Sequence, residues 1–464
     1  MRDPSRAVAR LAGARRLDRL SALDVSNLRV EERGVPMHVA ALVILEGSPL
    51  LDRSGEVRLN ELRRRIERRL DRAPRLRQVL YEPRLGLGRP AWIDDAGFDV
   101  RQHVRSRAIP APGDEASLLR VCAGLNEPPL DRSRPLWTMW FLTGLAGGSV
   151  GLLIRLHHAL ADGMAALALM SVLFDASPEE PQPDEPSWVP KQAPKASELL
   201  ADNARRGMHG LARVLSLLRR PALAIRGLVA SVVPMGRLLR GGFAARLSFN
   251  RQVGKRRRLV LVRSDLDRAK AVAHAHGAKV NDVVLASVAG GARRLLEHRG
   301  ELTKDLVLKV SVPASMRGPG GEPVIGNLAA IRVLPVPVGE PDPIRRFRRI
   351  ARASAEAKRH PPLQPGGRFA QSLMVRAMSH QRMVNLFTSN LVGPPVPLYL
   401  AGARLLEVFQ IGVVQGNVPI AVGVISYAGE LNFSVLGDAD VVPDLDVFAE
   451  GMSDALDRLG QAHL

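Results

Sequence analysis

The residues most able to do chemistry lie together in His157-His158-Ala159-Leu160-Ala161-Asp162-Gly163, where an apolar run ends in two imidazoles, a carboxylate and a glycine. Imidazole ordinarily titrates near neutrality, so it suits a general base that takes a proton from a hydroxyl and later returns it. Alternation places Leu152, Ile154, Leu156 and, by continuation, His158 on one face of a strand, with Gly151, Leu153, Arg155 and His157 on the other. His158 is therefore the candidate base in a partly dry cleft, and His157, beside Arg155, an orienting neighbour. Asp162 falls in the turn to the next helix, where it can cap that helix or hold a distant arginine, and Gly163 permits a tight turn.

Competing chemistries fit less well. Adjacent histidines on an extended strand point to opposite faces, and the chain has neither a cysteine pair nor a His-Glu-x-x-His string, so no metal site is expected. Gly147-Gly148-Ser149-Val150-Gly151 fits Gly-x-Ser-x-Gly, but a Gly-rich turn precedes the serine and a strand follows, the reverse of a nucleophile elbow. Cys122, the only cysteine, shares helical spacing with Leu118 and Leu125, which makes it a buried structural thiol and rules out an intrachain disulfide.

The elements that position the motif alternate helix and strand, an α/β pattern. Strands are expected at His38 to Glu46, Leu136 to Thr143 and Val150 to Leu156. Helices are expected over Leu59 to Leu70, over Glu115 to Leu125 and, after the motif, from Met164 to Phe174. Further on, strands are expected at Leu259 to Arg263, Leu306 to Val312, Leu328 to Leu334, Ile420 to Tyr427 and Glu430 to Leu436, with helices near Asp265 to His276 and Asn281 to His298. The charge-free stretches Pro135 to Ile154 and Val408 to Gly429 are punctuated by turn residues and read as paired strands, not membrane spans.

At 464 residues the chain exceeds the usual size of one core, so two domains are expected. Five acidic residues and six prolines between Asp175 and Pro194 have the composition of an exposed linker and end a first domain, 1–185. A connector, 186–255, and a second domain, 256–464, follow. The formal charge of +20 comes from 66 Lys+Arg against 46 Asp+Glu, and Asn203 to Ser264 holds fifteen basic residues with no acidic one.

Arginines there alternate with apolar runs such as Leu217-Leu218, giving a basic amphipathic helix broken near Pro221 and Pro234. Two readings stand: docking to an anionic bilayer, or a solvated helix packed across the domains. Nucleic acid is not the expected partner, since only 4% of residues are aromatic and no nucleic-acid-binding spacing is present. The Arg-rich N-terminus lacks the apolar segment of a signal peptide, so a cytoplasmic protein is expected, peripherally membrane-associated on the first of those two readings.

On these residues the chain resembles the bacterial wax ester synthase/diacylglycerol acyltransferases, within the CoA-dependent acyltransferase superfamily. His157 to Gly163 matches that family's His-His-x-x-x-Asp-Gly, Pro135-Leu136-Trp137 is similar to its Pro-Leu-Trp element, and Asn281-Asp282 to its Asn-Asp element. Leu23-Asp24, Pro36-Met37-His38, Val312-Pro313 through Arg317, Gly326-Asn327 and Ser426-Tyr427-Ala428-Gly429 with Asp438 also fall where the family has comparable segments. Ser389 to Pro394 and Gln415 to Pro419 depart modestly from its pattern.

The resemblance implies two chloramphenicol-acetyltransferase-like domains with mixed sheets and an active-site tunnel between them. It implies acyl transfer from acyl-CoA to diacylglycerol or a long-chain alcohol, with no cofactor beyond that co-substrate, no covalent acyl-enzyme, and a membrane or lipid-droplet surface as partner. Asn281 is then a polar contact near the substrate, Asp282, Pro135, Leu136, Trp137, Gly326 and Asn327 are substrate-binding candidates, and Arg317 is a partner for Asp162. A related enzyme acting on a polyketide or carrier-bound acceptor is the alternative, and a basic binding protein with a degenerate site a third. Oligomeric state is left open.

Overall fold

The computed structural model describes residues 17–32, 34–84, 87–160, 172–179, 188–219, 236, 242–315, 329–360 and 380–461. Its first half runs α1 (Ala22–Glu31), β1 (His38–Leu45), α2 (Leu59–Arg69), β2 (Gln78–Tyr81), β3 (Ala91–Asp94), α3 (Val100–His103), β4 (Val104–Ala108), α4 (Glu115–Asn126), β5 (Trp137–Thr143), β6 (Val150–His157) and α5 (Ala196–Arg219). The second half runs β7 (Arg257–Asp265), α6 (Leu266–Ala275), α7 (Val280–His298), β8 (Leu308–Ser315), β9 (Ala329–Val336), α8 (Pro343–Lys358), β10 (Leu386–Val392), β11 (Tyr399–Leu400), β12 (Ala403–Ile411), β13 (Ile420–Tyr427), β14 (Glu430–Asp438) and α9 (Leu445–Gln461).

Two six-stranded mixed sheets organise the chain, with strand orders β11-β12-β1-β6-β5-β4 and β7-β14-β13-β10-β8-β9. In the first, β6 lies antiparallel between β1 and β5, with His38 opposite His157. Every residue of β6 is buried, because each face of its sheet is covered. Leu152, Ile154 and Leu156 pack with Leu62, Ile66 and Trp137 in the core of the first lobe. Leu153 turns the other way, into a second core shared with Cys122, Leu261, Phe409 and Leu436 that joins the lobes. The third core, around Val284, Val288, Phe347, Val424 and Phe433, belongs to the second lobe alone.

The expected boundary at residue 256 does not separate the sheets. β12 leaves the second lobe and pairs antiparallel with β1, so residues from the C-terminal half complete the first sheet. It is held there from below by side chains of the second sheet: Asn432 Nδ2 donates to Val408 O (3.1 Å), Tyr427 Oη to Leu405 O (3.0 Å), and Ser434 Oγ to Gln410 O. A Cβ built at Gly423 would lie 2.1 Å from Gln410 O, so only glycine lets the crossing strand approach this closely. Consequently Val408 to Gly429 is not a hairpin: β12 and β13 lie in different sheets.

The acidic linker also needs correction at its start. Asp175 is 1% exposed and takes both Arg65 (2.6 Å) and Arg69 of α2, while its backbone pairs with Tyr399. Composition predicts exposure there because it cannot show arginines a hundred residues away. Nor is the basic segment one helix. Its first part is α5, but Arg257, Arg258 and Arg263 lie in β7 and take acidic partners from elsewhere: Asp438 (3.9 Å), Asp446 and Glu407 (2.5 Å). The helix expected from Met164 begins outside the described residues, as does most of the segment around Pro221 and Pro234.

Candidate active site

The histidine turn forms where β6 stops. His157 donates its N–H to Leu136 O (3.0 Å), and Leu160 N–H donates to His157 O (2.9 Å), closing a turn. His158 N–H donates to Met37 O (2.8 Å), so the backbone is tied to both neighbouring segments. The strand ends at His157, and His158 follows it in the turn. Its position is distinctive. From Val150 to Leu160 every residue is buried except His158, which keeps part of its surface open.

His157 is fully buried, and its tautomer follows from its contacts. Nδ1 accepts Ala159 N–H (3.0 Å), which leaves Nε2 to carry the proton, 3.5 Å from Glu31 Oε2. Glu31 stands at the C-terminal end of α1, a helix started by the reciprocal Ser21 and Asp24 capping box. A carboxylate at a helix C-terminus faces an unfavourable dipole, and Arg132 offsets it: Nε and Nη2 reach Glu31 Oε2 at 3.1 and 3.0 Å, and Nη2 also donates to Leu28 O (2.7 Å). Burial pushes the Glu31 pKa up, but the facing His157 ring, the Met37 N–H and Arg132 together outweigh it and hold the group at about 2. Glu31 is therefore an anion at neutral pH.

A second buried pair flanks the first. His38 Nε2 donates to Asn126 O (2.8 Å), and Arg155 Nη2 donates to Pro128 O while lying 3.3 Å from the His38 ring. Burial first, and the Arg155 charge second, push His38 down to about 3, so it is neutral. Burial likewise lowers Arg155 to about 10. Glu31, Arg132 and the pairing of His38 with Arg155 have no local signal in the sequence, because the contacts join α1, β1, β6 and the end of α4 across long separations. The one available hint is Pro36-Met37-His38, which marks the strand but not the charges.

The remaining candidates divide by place. Pro135 is buried, Leu136 supplies the carbonyl that holds His157, and Trp137 is a core residue whose indole N–H donates to Leu76 O (2.6 Å) and whose ring stacks on His103 at 4.5 Å. Asn281 and Asp282 open α7 in the second lobe. Asp282, 3% exposed, accepts Lys279 N–H (2.9 Å) and so caps that helix, and Asn281 is half-buried beside it. Asp162, Gly163, Arg317, Gly326 and Asn327 lie outside the described residues. Cys122 is buried, with its thiol pushed up to about 12, which makes it a poor nucleophile.

Comparison with known proteins agrees with this architecture. Residues 20–284 match the wax ester synthase/diacylglycerol acyltransferase catalytic domain and residues 325–460 the WS/DGAT C-terminal domain. A putative diacylglycerol O-acyltransferase of Mycobacterium tuberculosis is 31% identical over 463 residues, covering 96% of this chain and 90% of the relative. The probable diacylglycerol O-acyltransferase tgs1 of the same species is 30% identical, with 96% of each chain covered. Among solved structures, the wax ester synthase/diacylglycerol acyltransferase of Marinobacter aquaeolei VT8 superposes with a TM-score of 0.68 at 23% identity, over 96% of this chain and all of that one. The starter condensation domain of rhizomide synthetase, solved with C8-CoA, gives 0.60 at 14% identity over 96% and 95% of the two chains.

Proposed function

The chain belongs to the wax ester synthase/diacylglycerol acyltransferase family, and from that premise we propose that it moves a long-chain acyl group from acyl-CoA to the hydroxyl of diacylglycerol, with a fatty alcohol as a second acceptor. The observation that carries this reading is the exposure pattern of the histidine turn: a buried strand delivers one partly open imidazole, His158, on a backbone tied at both sides. The His158 ring takes the acceptor's hydroxyl proton as its oxygen bonds to the thioester carbonyl carbon. The tetrahedral intermediate then breaks its C–S bond, and the imidazolium returns the proton to the departing thiolate, giving ester and free CoA thiol. No covalent acyl-enzyme and no further cofactor enter this sequence.

His157 does not share that role. With Nδ1 occupied by Ala159 N–H and Nε2 facing Glu31, it orients the turn that presents His158. Trp137 and Leu136 act at the same remove, by fixing the core and the carbonyl behind His157, and Asp282 through the start of α7. Asn281 is the residue of this group proposed to meet substrate, in a tunnel running between the lobes.

Incubation of the purified protein with labelled palmitoyl-CoA and either diolein or hexadecanol tests the reading. Labelled triacylglycerol or wax ester is the expected product, with no label retained on denatured protein. No ester from either acceptor would overturn it in favour of a carrier-bound or polyketide acceptor. No helix among the described residues is long and apolar enough to cross a membrane. Meeting insoluble acceptors at a lipid surface, by peripheral association, is part of this proposal.

A further inference from the structure

α5 is mounted the wrong way round for a helix of a globular protein. Its beginning is fastened to the first lobe by a polar contact: buried Arg19 donates through Nε to Asp202 (3.1 Å) and through Nη2 to Asn203 Oδ1 (3.2 Å), and Arg206 reaches the same Asp202 (2.9 Å) and Leu17 O (2.8 Å). Leu199, 1% exposed, completes the docked face. At roughly 3.6 residues per turn, Leu200, Ala204, Met208, Leu211 and Leu215 fall within an arc of about 80° on the opposite side. All five are exposed, Leu200 by 54%, Met208 by 51%, Leu211 by 61% and Leu215 by 46%.

An amphipathic helix normally buries such a stripe and shows its charges to water. Here the first turns bury Leu199 and Asp202 against the lobe, and the apolar stripe meets solvent along the helix. Gly207 and Gly210 sharpen the point, because a Cβ at either would meet nothing within 4 Å: this part of the helix stands clear of the described chain. Of the fifteen basic residues between Asn203 and Ser264, Arg205 and Arg206 pair with Asp202, and Arg256, Arg257, Arg258 and Arg263 with acidic residues elsewhere. Arg213, Arg219, Arg220 and Arg226 fall late in the stripe or after it in sequence with no acidic residue among them, so the far end of α5 carries positive charge.

We propose that the outward stripe of α5 docks the protein on an anionic lipid surface, Leu200, Met208, Leu211 and Leu215 entering the acyl boundary while the surrounding arginines meet lipid phosphates. This rests on the reading that the acceptor is a lipid. The flexible Leu and Met side chains suit a fluid apolar phase better than a shaped protein groove. Arg19 and Asp202 make the anchorage rigid, so docking fixes how the first lobe, and with it the histidine turn, stands on the surface.

Flotation with vesicles of phosphatidylcholine alone or mixed with phosphatidylglycerol, at low and high salt, tests this with the wild type and a Leu211→Glu/Leu215→Glu variant. A parallel assay follows acyl transfer from palmitoyl-CoA to hexanol, a dissolved acceptor needing no surface. The wild type is expected to float with the anionic vesicles and, at high salt, to lose about tenfold of its binding. The variant is expected to lose about tenfold or more at low salt while esterifying hexanol at the wild-type rate.

Equal flotation of variant and wild type, or binding indifferent to lipid charge and salt, overturns the docking and leaves the enzyme reading standing. A concentration-dependent dimer that the variant abolishes, without vesicle binding, assigns the stripe to a second copy and also overturns it. If neither protein esterifies hexanol, nor diolein or hexadecanol dispersed in detergent, it is the functional reading that falls, and the docking loses its premise.

Discussion

Glu31 shows how much of the site is electrostatic positioning. Its ionised carboxylate faces His157 Nε2 at 3.5 Å, and that contact keeps the proton on Nε2 and Nδ1 free to accept Ala159 N–H. Loss of the anion leaves the imidazole free to change tautomer and release the turn that carries His158. Glu31→Gln preserves shape and removes charge. It is expected to lower kcat by up to about 100-fold through misplacement of the base with KM little changed, and to lower Tm because Arg132 loses its buried partner. An unchanged kcat in steady-state assays would reduce Glu31 to packing. His158 itself was legible from residue type and spacing. Glu31 was not, since nothing near residue 31 signals a partner in β6.

At the scale of elements, the chain is legible where one element reports on itself. β5 and β6 alternate around a Gly-rich turn, α4 and α7 keep helical spacing, and β13 and β14 meet across Ala428-Gly429, so each is expected close to its observed bounds. α1, β2, β3, α3, β4, α8, β10, β11, β12 and α9 are not among the elements expected from the sequence. α1 is set by a capping box, and β12 draws its partners from β1, beyond the reach of local periodicity. Asp175 is the sharpest case, because it joins α2 to the crossover through two buried arginines and the Tyr399 backbone. Asp175→Ala strands both guanidinium groups and is expected to cost roughly 3–5 kcal/mol, read as a lower denaturant midpoint at unchanged slope. A stability within about 0.5 kcal/mol of wild type, the usual range of a surface substitution, would show that the pair contributes little.

For the whole molecule, the decisive feature is that the lobes are interlocked. β12 completes the first sheet, an apolar seam of Cys122, Leu153, Phe409 and Leu436 continues between them, and Arg263 of β7 bridges Glu115 of α4 and Glu407 of β12, each at 2.5 Å. Composition shows the positive charge but not where it is neutralised, so a chain with a +20 excess still closes its seam with ion pairs. That frame ties the histidine turn to both neighbouring segments and leaves His158 partly exposed, and the account depends on its ring being the base. The direct test is His158→Ala, shown to be folded by its Tm and far-ultraviolet circular dichroism, assayed for palmitoyl transfer to the acceptor the wild type prefers. The expected loss is about 100- to 10,000-fold, equivalent to roughly 3–5 kcal/mol of transition-state stabilisation. A folded variant with near-normal turnover would contradict the account.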